Sequence, residues 1–223
     1  MPTLGYFVLP VYCEVPGQVD YNLIQKELSD VFEKLNFSQQ DNWTSETQEL
    51  SENAFTQNML GLHDFKHFLK FVDRSVQQYL DDIGHLHKKL GDHSNRQYVI
   101  TTSWFTKQKK GHYAHLHNHS GTDLSGVYYF KTNGMDGNMY FHSPYHDKKS
   151  NFIYEVIAEE QEIQVEQGML CLFPADLMHA TKVNETDHER VSLAFNIEFR
   201  RQGFVLDEEY DYDRKGRQGA MLI

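Results

Sequence analysis

A chain of 223 residues, 39% hydrophobic and 13% aromatic, is long enough for one domain with a substantial core. A net charge of −11 repels phosphate backbones and argues against nucleic acid as a partner. Cys13 and Cys171 make neither a disulfide framework nor a CxxC clip, no apolar run approaches the ~20 residues of a membrane span, and the N-terminus lacks a signal-peptide pattern, so a cytoplasmic, non-membrane protein is expected.

Val8 to Val15 reads as a first strand. From Asp20, a plausible N-cap, Leu23, Ile24, Leu28, Val31, Phe32 and Leu35 recur at helical spacing. Ser38 to Phe55 is polar and predicts a loop with a short strand. A second helix is expected from about Asp64, with Phe65, Phe68, Leu69, Val72, Val76, Tyr79, Leu80 and Ile83 on its apolar side. After Arg96 the texture changes to β-branched and aromatic runs: QYVITTSWFTK, LSGVYYFKT, NMYFHS, FIYEVIA, EIQVE, MLCLFPA and RVSLAFNIEFR. Such short strands with turns between them predict an antiparallel barrel or sandwich. The expected organisation is a single domain over residues 1–200, with a helical flank at about 16–95 and a β core at about 96–200. Residues 201–223 read as a polar tail, either frayed or an arm that pairs protomers into a homodimer.

Most of the 13 histidines lie in polar stretches or turns and ask for no special role. The exception is the run His112, His115, His117, His119, because alternation on a strand puts the last three on one face. Neighbouring imidazoles there can grip one Fe, Zn, Cu or Ni ion. His179, after the apolar run LCLFPADLM and a turn, can return a third imidazole to the same place. Two spacings select His117 and His119. Gly111, five residues, His117-Asn118-His119, three residues and Asp123 match the first motif of cupins, with Asp in place of Glu. Gly168, five residues, Pro174, then His179 and Asn184 approximate the second. Phe130 and Asp176 stand where that pattern has other residues. The resemblance to cupins implies a mainly β double-stranded β-helix (jelly roll) with N-terminal helices and a metal at its mouth.

Arg190 follows His179 by eleven positions and shares a strand face with Ser192. A buried arginine beside a hydroxyl holds a carboxylate through charge-assisted contacts. A metal with three protein ligands and an arginine beyond it suits a keto dicarboxylate, chelating at one end and held by Arg190 at the other.

With Gly111, His117-Asn118-His119, Leu124-Ser-Gly-Val-Tyr-Tyr129, Gly168, Leu172-Phe-Pro174, His179 and Arg190-Val-Ser192 through Phe195-Asn196, the chain resembles the 2-oxoglutarate- and Fe(II)-dependent oxygenases, most of all a branch of small bacterial and phage members. The likeness is strongest from Trp104 to Phe199. It implies a hydroxylase using Fe(II), 2-oxoglutarate and O2, with His117, His119 and His179 on the metal. Arg190, Ser192 and Tyr129 would hold the co-substrate. Most of that superfamily has His-x-Asp where this chain has His-x-His, a pattern shared by the branch it resembles. Asp123 as a further ligand, and His115 paired with His117, stay open. The substrate implied is a protein side chain or small molecule, in the host cytoplasm for a phage member. Two rivals share the residues: a cupin-like metalloenzyme without 2-oxoglutarate, and a non-catalytic metal-stabilised barrel that binds a partner.

Overall fold

The alternation read from the strand-like runs becomes two faces of one large sheet. The computed structural model describes residues 9–39, 47–52, 54, 58–87, 97–145, 152, 159–199 and 221–222. In chain order the elements are β1 (Tyr12–Glu14), α1 (Gln18–Phe32), β2 (Phe37–Ser38), β3 (Glu49–Ser51), α2 (Met59–Leu62), α3 (Lys66–His87), β4 (Tyr98–Gln108), β5 (Leu124–Lys131), β6 (Met139–Phe141), β7 (Gln161–Ile163), β8 (Leu170–Pro174), β9 (His179–Thr181), β10 (Arg190–Phe199) and β11 (Met221–Leu222). The large sheet has the order β1-β8-β5-β10-β4-β3-β2, with β11 also paired to β4. A smaller sheet runs β7-β6-β9. The named pairings are antiparallel.

On one face of the large sheet, Tyr128, Phe130, Leu170, Leu172, Leu193 and Phe195 meet Ile24, Leu28, Phe68 and Val72 of the helices in a single dry core. The Phe68 ring lies edge-on to Tyr128 at 5.2 Å and to Phe195 at 6.2 Å. Gly126 makes room for Phe195, since a Cβ there would stand 2.2 Å from that ring. The other face, carrying Tyr129, Cys171 and Phe173, packs on Met139 and Phe141 of the smaller sheet. A slip in the β10–β4 register at Asn196/Ile197 switches the faces along β4, with Tyr98 and Ile100 in the core before it and Thr102, Trp104 and Thr106 in a cavity after it.

Several elements differ from the sequence reading. The first helix starts at Gln18, with Gly17 at its N-cap and no side-chain cap; Asp20 lies in the first turn, where its charge complements the helix dipole. Leu23 stays 38% exposed. The second helix starts at Lys66, preceded by the short α2. Its opening N–H groups at His67 and Phe68 are capped by the Glu27 carboxylate of α1, a partner forty residues away that no local pattern reveals. The polar loop holds β2 and β3. Most of the expected strand FIYEVIA, and most of the expected tail, lie outside the described residues. No described helix is long and apolar enough to cross a membrane.

Candidate metal and anion site

His117, in the connection between β4 and β5, faces His179 at the start of β9. Each backbone N–H donates to the other's carbonyl, at 3.0 and 2.9 Å, forming an isolated bridge. His119, two residues on, falls on the same side as His117. The ring centroids lie 4.3 Å apart for His117 and His179, 5.0 Å for His117 and His119, and 5.2 Å for His119 and His179. One ring nitrogen from each lies within 4.8 Å of the others.

Their protonation suits a metal. Nδ1 of His117 lies 2.7 Å from the His115 carbonyl, and Nδ1 of His179 lies 2.8 Å from that of Leu177. A carbonyl only accepts, so Nδ1 carries the hydrogen and Nε2 the lone pair. Burial, then the neighbouring imidazoles His117 and His119, pushes the His179 pKa well below its ordinary value. Burial likewise lowers that of His117. Both rings are therefore neutral near pH 7. The His119 ring is covered by the Trp104 indole, nearly parallel at 10° and 5.7 Å between centroids.

The other candidates fall elsewhere. The Asp123 carboxylate accepts the Phe199 N–H at 2.7 Å, tying the start of β5 to the end of β10. The His115 ring packs edge-on to Tyr113 at 4.8 Å. Neither belongs to the cluster of three donors.

Arg190 opens β10 and is 2% exposed. Its Nη1 donates to the Gly137 carbonyl, and it forms no ion pair among the described residues. Burial lowers its pKa, while Tyr129 and Asp136 raise it; an arginine so placed remains a cation. The Tyr129 hydroxyl is buried without a hydrogen-bond partner among the described residues. Burial raises its pKa above the ordinary phenol value, so it stays a neutral donor. Ser192 pairs with Tyr129 on β5 and with Thr106 on β4, which sets all three on the face that carries Arg190. One cavity of about 300 Å³ is lined by the three histidines, Trp104, Arg190 and Tyr129. It thus offers three clustered imidazole donors and, separately, a buried cation without an ion pair and a buried hydroxyl without an acceptor among the described residues.

The sequence reading missed Trp104 and the buried turn acid Asp136. Period-two alternation on β4 does put Trp104 in one row with Thr102 and Thr106, but nothing in the chain pairs it with His119.

Residues 102–196 match the model of the family described as "Putative 2OG-Fe(II) oxygenase". No curated protein matches the chain. Solved structures similar to it include the α-ketoglutarate-dependent carbocyclase SnoK from nogalamycin biosynthesis, at 9% identity and TM-score 0.61, covering 96% of this chain and 92% of that one. HygX from Streptomyces hygroscopicus, solved with nickel, 2-oxoglutarate and hygromycin B, has 12% identity and TM-score 0.55, covering 88% and 85%. A Trichoplax adhaerens prolyl hydroxylase bound to a hypoxia-inducible-factor peptide has 12% identity and TM-score 0.54, covering 93% and 85%. At such identities the likeness establishes the fold, the double-stranded β-helix.

Proposed function

We propose that the chain is a 2-oxoglutarate- and Fe(II)-dependent oxygenase, a reading supported by the family model matched over residues 102–196, in which His117, His119 and His179 hold Fe(II) while Arg190, Ser192 and Tyr129 hold the distal carboxylate of 2-oxoglutarate. The observation that carries this reading is the pairing of incomplete groups in one cavity: a buried guanidinium without an ion pair and a buried phenol without a partner, beside three clustered imidazoles. Imidazole is a fitting donor for Fe(II). Three neutral ligands leave the metal's charge uncompensated, and a dianionic co-substrate balances it.

Bound Fe(II) supplies O2 activation coupled to decarboxylation of 2-oxoglutarate to succinate and CO2, delivering one oxygen atom to a substrate C–H bond. The protein's share is positioning and exclusion of water. The carbonyls of His115 and Leu177 orient the two ligand rings. Arg190 and Tyr129 donate hydrogen bonds to the anion, and burial makes those bonds strong. The substrate-facing lining at Trp104, Asn118, Ser120, Thr122 and Asn196 bears no charge, which suits a neutral protein side chain or small molecule.

Anaerobic titration of the Fe(II) protein with 2-oxoglutarate tests the assignment. A weak visible metal-to-ligand charge-transfer band is expected. Its absence at saturating metal and co-substrate would favour the cupin-like reading, which leaves Arg190 and Tyr129 without an occupant.

A further inference from the structure

Arg190 sits in the core as a cation, and the acid that offsets it is held one residue away from contact. Asp136, 0% exposed, lies in the turn between β5 and β6. Its carboxylate accepts from the Thr132 hydroxyl, from the Asn133 N–H at 3.0 Å and from His188 Nδ1 at 2.8 Å. These bonds fix the turn. The next residue, Gly137, has φ +97° and directs its carbonyl at Arg190 Nη1. The fit is close: a Cβ on Gly137 would stand 2.3 Å from the Lys182 carbonyl oxygen and 3.3 Å from Arg190 Nη1.

We propose that Asp136 is the positioning residue for Arg190, holding the Gly137 carbonyl on one edge of the guanidinium so that the remaining N–H groups face the cavity. The inference rests on the reading of Arg190 as the anchor of the distal carboxylate. A carboxylate in direct contact would occupy the planar fork bidentately and compete with the ligand. A carbonyl orients the same group through a single N–H and leaves its charge in place. Asp136, one residue behind, still offsets part of the cost of burying the cation through the low-dielectric interior. The His188 ring closes the arrangement from the far side of the turn.

The test uses full-length protein loaded with Ni(II), under which no turnover occurs, and calorimetric titration with two keto acids. 2-Oxoglutarate has the distal carboxylate; pyruvate has the same keto acid head without it. Asp136→Asn is expected to weaken 2-oxoglutarate about tenfold, near 1.4 kcal/mol, with pyruvate and Ni(II) affinities unchanged. In an Arg190→Ala background the same change should add nothing, because residues acting through one contact are not additive. Equal losses for both keto acids, or a loss that persists without Arg190, would assign Asp136 a merely structural part and overturn the proposal. If Asp136→Asn does not fold, Thr132→Val and His188→Ala each remove one of its donors and carry the same comparison; unchanged 2-oxoglutarate affinity in both rejects it. Arg190→Ala alone leaving 2-oxoglutarate binding intact is a different failure, that of the anchor itself.

Discussion

At one end of the cavity three imidazoles offer donor nitrogens to a metal; at the other a buried guanidinium forms no ion pair among the described residues. On the proposed function, one keto dicarboxylate on one metal would span both ends. They are also built differently. The histidines depend on the bridge by which the β4–β5 connection meets β9, where His117 and His179 pair backbone to backbone. Arg190 depends on a central strand of the large sheet and on a turn fixed by Asp136. Damage at one end should therefore leave the other nearly intact, and that separation can be measured.

The largest effect is expected from His179→Ala. It should lower Fe(II) affinity by more than about 100-fold, exceeding the loss typical of changes behind the ligands, and abolish succinate formation. Metal analysis of the purified variant checks this, and retained metal would remove His179 from the ligand set. Arg190→Ala should weaken 2-oxoglutarate by about 100-fold, near 3 kcal/mol, as expected when one partner of a buried charge contact is lost. Its Fe(II) affinity should match the wild type, and a joint loss would dissolve the contrast between the two ends. Trp104→Leu strips the aromatic cover from His119. It should lower metal affinity by about fivefold, less than loss of a ligand, while binding of the distal carboxylate stays constant in the Ni(II) protein.

The smallest effect is on the metal-free protein as pH changes. Burial depresses the pKa values of His117 and His179. Protons therefore bind the unfolded chain first, at about pH 6.5. The sign follows: the stability is fully present above that value and falls as pH drops below it, toward the depressed folded values. Thermal midpoints between pH 7.5 and 5 should show the decline, and His179→Gln should flatten it. An equally steep decline in that variant would place the titration elsewhere.

Much of this architecture is legible in the chain. LSGVYYF and RVSLAFN read as strands from their β-branched and aromatic residues, while their pairing in the large sheet is set by the fold. The histidines of interest stand out because His-x-His shares one strand side and a turn returns His179. Yet the alternation hides one thing. Thr102, Ser125, Ser192 and Asn196 alternate with the core residues of their strands, and in the fold all four line one cavity together with Met139 and Ala180 of the smaller sheet. The remaining misses share a cause in sequence distance. Glu27 caps a helix forty residues on, His188 meets Asp136 across fifty-two, and Trp104 meets His119 through folding alone. No local period encodes such partners.

The mutual backbone bonds of His117 and His179 also bear on how a metal held by the proposed ligands would leave. Those two bonds tie the β4–β5 connection to β9, so lifting that connection off β9 breaks both bonds and pulls the two rings apart. On the proposed ligand set, a bound ion would rivet that bridge. Its escape rate is then tied to the opening of two amides, and hydrogen exchange at His117 and His179 should slow together when metal is added, in step with its residence time.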